Sequence, residues 1–200
     1  MAYFGGMRIM AKDYASLLID VSHYTEKSGF TCLFKDFLHR IEVKINRELR
    51  LREMEKKAFL SLVDGSVILP DDFIEMRFLT DHQGNKLDHL PLSISLQKNK
   101  GYIITADSMC VSPPSSEDVV LYYYACIPPL TDNNTINWLL QRSPDLYLYG
   151  LIEEVALWEQ KIDKASTAGA LFQESIKRLQ KNDIRSRWAD TSLNRGKLTP

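Results

Sequence analysis

Few side chains in these 200 residues are placed to do chemistry. Glu153 and Glu154 stand side by side in the apolar segment LYLYGLIEEVALW. A carboxylate in an apolar setting, its pKa raised, is the general acid of glycoside hydrolysis, so a cell-wall hydrolase using Glu154 is one reading. Adjacent helical positions point roughly 100° apart, however, and the pair does not face one substrate. The competing expectation is that one glutamate is solvated and the other pairs with a basic residue of a neighbour. His23, His39, His82 and His89 have no metal-ligand spacing to one another or to a cysteine. Cys32, Cys110 and Cys126 form an odd, widely spaced set without a CxxC, which reads as reduced thiols acting as small buried hydrophobes. Walker, GxGxxG, HExxH, GxSxG and EF-hand patterns are missing. Tyr122 to Tyr124, Trp138, Tyr147 and Tyr149 fall in strand or helix cores, not among arginines and lysines as a single-strand nucleic-acid platform requires. The expectation is a protein without catalysis, cofactor or metal.

The elements that hold these residues follow from pattern and composition. With 44% hydrophobic residues the chain supports one domain, or one with an inserted subdomain. A formal net charge of -1 gives no global attraction to nucleic acid or to an anionic membrane. Neither a membrane-spanning run nor a basic region followed by an apolar core is evident, so the expectation is a soluble, unexported protein that makes no membrane contact. Residues 1–11 read as a flexible leader in which Met7 or Met10 is an alternative start. Lys12 to Tyr24 places Tyr14, Leu17, Leu18 and Val21 on one helical face. Thr31 is expected to cap a second helix, whose apolar stripe is Phe34, Phe37, Leu38, Ile41, Ile45 and Leu49 and whose end carries Arg47, Arg50 and Arg52.

From residue 56 to 133 the grammar is β. Ala58–Val63 and Ser66–Leu69 flank Asp64-Gly65 as a hairpin, Ile74 to Phe78 alternates, and a second hairpin turns at Asp107-Ser108. Val119 to Ile127 shows no clean alternation and is expected to be covered on both faces. Together these predict one small antiparallel sheet of about five or six strands. Ser143, Pro144 and Asp145 then start a helix apolar almost all round, with Ser143 as the cap. Such a helix is either central or covered by another subunit, and the expectation is that a lone copy cannot satisfy it, so that copies must stand in a closed circle to hide what is left. A last helix over Ser166 to Trp188 carries Ile184 and Trp188 off its main stripe. Arg185, Arg187, Arg195 and Lys197 make the end of the chain basic. That end reads as an arm that orders on a partner, or as a DNA-binding module. The fold class is α+β: a mainly helical bundle (12–55 and 134–190), a β-rich insertion (56–133) and an extended C-terminal arm (191–200).

Four segments in succession resemble the head-to-tail adaptor (head-completion, or connector) proteins of tailed, short-tailed-type bacteriophages. They are RIEVKINRELRLREME (Arg40 to Glu55), LPDDFIEMRFL (Leu69 to Leu79), GYIITADSMCVSPPS (Gly101 to Ser115) and VVLYYYACIPPLTDNNTINWLLQRSPDLYLYGLIEE (Val119 to Glu154). The resemblance implies a virion structural protein, made in the bacterial cytoplasm, forming a dodecameric ring beneath the portal protein and above a tail or nozzle protein. Double-stranded DNA would pass through the lumen without specific binding. On this view Arg185, Arg187, Trp188, Arg195 and Lys197 bind the portal, and Trp138, Tyr147, Tyr149 and Trp158 pack between subunits.

Overall fold

The computed structural model describes residues 11–25, 29–91 and 100–195. Of the expected leader only Ala11 is among them, and Lys197 lies outside them. The chain divides into two compact units, Met1–Leu51 with Ile127–Pro200, and Arg52–Cys126. As expected, the class is α+β: helices make the first unit and two antiparallel sheets the second. No described helix is long and apolar enough to cross a membrane.

The helical unit contains α1 (Tyr14–Thr25), α2 (Phe34–Glu48), the short α3 (Trp138–Arg142), α4 (Pro144–Trp158) and α5 (Ile162–Arg195). Asp13 opens α1 by accepting the Ser16 N–H at 2.8 Å, while its own N–H donates to Ser16 Oγ at 3.0 Å, a reciprocal cap. Thr31 does not cap α2. Thr31–Leu33 forms a 3-10 turn running straight into the helix, whose first residue has no side-chain cap. Beyond the helix end, Arg50 donates to the carbonyls of Asn46 and Leu49, so the cation sits at the negative end of the dipole.

α4 is the centre of the unit. Leu146, Tyr147, Leu148, Leu151, Ile152, Val155 and Ala156 are buried, and α1, α2, α3 and α5 supply the cover. The expectation that neighbouring copies must complete its burial is overturned: only Leu157 and Trp158, at its last turn, stay exposed. Its cap differs too. Ser143 Oγ donates to Asp145 Oδ1 at 2.7 Å instead of accepting a backbone N–H. Asp145 in turn accepts from Ser175 and Arg178 of α5. Burial would raise the Asp145 pKa, but the hydrogen bonds from Ser143 and Ser175 and the Arg178 charge outweigh it and hold the carboxyl below its ordinary value. α5 runs 34 residues, about 51 Å at 1.5 Å per residue, beginning before Ser166 and passing Trp188. The boundary expected at residue 191 therefore falls inside the helix.

The β unit differs more from expectation. Instead of one sheet there are two: β1 (Glu55–Ser61), β7 (Asp118–Ala125), β3 (Phe73–Asp81) and β4 (Lys86–Leu87) in that order, and β2 (Ser66–Ile68), β6 (Ser108–Ser112) and β5 (Gly101–Thr105). Asp64 and Gly65 do form the tight turn, with φ of 49° and 78° and reciprocal Val63–Ser66 hydrogen bonds of 2.9 Å. Past that bridge the strands part, β1 pairing with β7 and β2 with β6. The β5–β6 hairpin forms as expected, its turn one residue earlier at Ala106-Asp107. β7 alternates after all: Val119, Leu121, Tyr123 and Ala125 face a core shared by the two sheets, and Val120, Tyr122 and Tyr124 lie half-buried on the other side. Tyrosine disguised the alternation, being apolar enough for either face.

At Gly150 α4 packs tightly on α5 and α2, since a Cβ there would meet the Phe172 ring at 3.1 Å and Ile41 Cγ2 at 3.2 Å. Gly150→Ala should therefore lose about 1–3 kcal/mol from overpacking despite the better helix propensity of alanine. Gly169→Ala meets chiefly the movable Glu153 side chain and should match or exceed wild type in a thermal melt.

Candidate interaction surfaces

The side chains first considered for chemistry are tied into the helical unit. Glu154 is buried and pairs with Arg40 at 3.4 Å and Lys44 at 3.3 Å, and Glu153 pairs with the same Lys44 at 3.2 Å. Both partners belong to α2 of the same chain, not to a neighbouring subunit. The pair thus cross-links α2 to α4, where a charge costs least when matched and hydrogen-bonded. His23 and His39 are exposed, His82 lies 3.0 Å from Glu117, and His89 packs edge-on against Tyr102. Among the described residues no cluster suits a metal ion. The three cysteines are free thiols, with Cys32 exposed and Cys110 and Cys126 half-buried, contrary to the expectation of three buried hydrophobes.

The residues expected to pack between subunits separate by burial. Tyr147 is fully buried, and its hydroxyl accepts from Asn137 Nδ2 at 2.8 Å, so its contacts are spent inside its own chain. Trp138 and Tyr149 are half-buried, and Trp158 is 48% exposed beside Leu157 at the end of α4. Of the basic set on α5, Arg185 is exposed and Arg187 is held by Asp183 at 2.6 Å. Trp188 is 70% exposed, and Ile184, one turn earlier, is exposed as well. Arg195 closes the helix.

Two features escaped the sequence reading. The first is a polar row on α2. Glu42 Oε1 accepts the Leu130 N–H at 2.8 Å and Asn46 Oδ1 the Ile127 N–H at 2.9 Å. Asn137 caps α3 through the Leu140 N–H and donates to Pro128 O. Together they fasten the segment by which the chain re-enters the helical unit. The signal was present, because Leu38, Glu42 and Asn46 are spaced four apart and a charge within a buried stripe calls for a partner. The second is the outer face of the four-stranded sheet, where Phe78 and Tyr122 stack at 4.2 Å, Lys57 lies 5.6 Å from the Tyr122 ring and Arg77 5.4 Å from that of Tyr124.

A central buried helix, an inserted pair of sheets and surfaces of aromatic and basic residues define a protein of contacts. The SU10 adaptor protein family matches residues 12–196, and the chain belongs to that family. The expected kinship with phage head-to-tail adaptors therefore holds. No curated protein matches the chain.

Glu42 supplies a test of the clamp. Burial pushes its pKa from 4.5 to about 7, against the opposing Leu130 hydrogen bond. The folded state thus holds this proton more tightly than the unfolded one, and stability falls as pH rises from about 4.5 to about 7. Glu42→Gln keeps an acceptor for Leu130 and cannot ionise. It should match wild type near pH 4 and exceed it by about 1–3 kcal/mol at pH 8 in urea unfolding.

Proposed function

We propose that the protein is a virion structural component of the phage neck, a ring of identical subunits, dodecameric, that joins the portal protein to a tail or nozzle protein and lines part of the DNA exit path. The family membership supports the adaptor role, and the end of α5 supports the portal contact. Past Leu179 and Asp183, the last buried positions with described side chains, α5 continues with Ile184, Arg185 and Trp188 exposed. An aromatic anchor beside cations is the composition of an interface hot spot. Trp188 and Arg185 carry the contact with the portal, with Arg195 and Lys197 adding charge. Arg187 contributes by way of its helix pair with Asp183. Trp158, Trp138 and Tyr149 remain the contacts between subunits. Duplex DNA passes through the lumen without specific binding, since tight phosphate contacts would oppose ejection. The alternative, a particle-associated cell-wall hydrolase, would have to work with a Glu154 engaged by two cations.

The carrying observation is the exposed Trp188, with Ile184 and Arg185 exposed beside it, toward the end of α5. Deleting Ser192–Pro200 together with Trp188→Ala should abolish co-sedimentation with portal rings while leaving helical circular dichroism and self-association intact. Attachment at wild-type strength would remove the α5 end from the portal contact.

A further inference from the structure

Two surfaces of this chain, one on each unit, each set an exposed aromatic beside a charge, and the two charges are opposite in sign. On β1, Phe59 is 73% exposed at the middle of the strand. The ammonium of Lys57 lies 4.6 Å from its ring centroid. In the helical unit a hollow of about 300 Å³ opens between α2 and the last turn of α4. Its walls are Phe37, Leu157 and Trp158, and the last two are 46% and 48% exposed. Asp36 also lines it and is exposed, while Arg40 and Glu154 pair with each other at 3.4 Å. A liquid water takes roughly 30 Å³, so the hollow has room for an aromatic side chain.

We infer that Phe59 and Lys57 of one copy dock in the Asp36–Trp158 hollow of the next copy in the ring. The contact rests on the ring reading above and names its surfaces. Phe59 would bury its ring against Leu157 and Trp158, and Lys57 would face Asp36. Charge matching favours this occupant. Arg40 and Lys44 of α2 are matched by Glu153 and Glu154 of α4, which leaves Asp36 as the hollow's carboxylate to be met. The cation beside Phe59 is already held over apolar surface by two rings, Phe59 and Tyr122, so little of its freedom is lost on docking. The two surfaces differ, and each copy carries one of each. The contact is therefore heterologous and repeats head to tail until it closes.

A charge-swap cycle on the full-length protein tests this by sedimentation equilibrium, alone and with portal rings. Lys57→Glu and Asp36→Lys should each weaken self-association at least about tenfold, roughly 1.4 kcal/mol, and the double variant should recover most of the loss. Phe59→Ala should weaken it further, whereas Ile68→Ala, exposed on the three-stranded sheet, should leave it unchanged. All these side chains are exposed, so folding is not at stake. Association equal to wild type in both single charge variants, or a double variant no better than the singles, overturns the contact. Loss on Trp188→Ala but not on Phe59→Ala would give the hollow to the end of α5 and overturn the proposal while leaving the ring. If no variant or wild type self-associates with or without portal, the ring reading fails along with it. Co-sedimentation of such a monomer with portal would show that the portal contact stands apart.

Discussion

The structure turns on how a helical bundle takes back its chain after a long excursion. Ile127 to Asn137 has no regular structure of its own until α3, and its backbone groups need partners when they enter a buried site. α2 supplies them. Glu42 and Asn46, one turn apart, receive the N–H groups of Leu130 and Ile127, and Asn137 closes the far end by holding Pro128, Leu140 and Tyr147 at once. Burying a carboxylate for one hydrogen bond is costly, and the elevated Glu42 pKa is the signature of that cost. What it secures is register: with this segment fixed, α3 and then α4 start where the surrounding helices can enclose α4.

The helical half was largely legible because its signals are local and periodic. The stripe of α2 and the all-round apolarity of α4 each prescribe a burial pattern without knowledge of any partner. The choice between a central helix and one covered by a second subunit was not local. It depended on α1, α2, α3 and α5 together having enough apolar face to surround α4, which no single segment states. The caps failed for a similar reason: Ser143 and Thr31 have the right chemistry, yet Asp145 competes for one hydroxyl and a 3-10 turn precludes the other's position.

The β half was legible in its turns and not in its pairing. Asp64-Gly65 forms the turn its residue types demand, but one hydrogen-bonded bridge does not make a hairpin, and the flanking strands find better partners far along the chain. Register in a sheet is set by which faces are buried, and tyrosine obscures that in β7. The outer face likewise gave little warning. Lys57, Phe59 and Tyr122 come together across strands over sixty residues apart in sequence, a neighbourhood that exists only once β1 and β7 have paired.

Asn46, near the end of α2, holds Ile127, so the points where the chain leaves and rejoins the helical unit lie side by side. Closing a loop on adjacent ends costs entropy that grows only slowly with loop length. The helical frame is thus indifferent to how long, or how elaborate, the material between those ends becomes. Such an architecture tolerates exchange or remodelling of the inserted sheets while the frame that receives them stays intact.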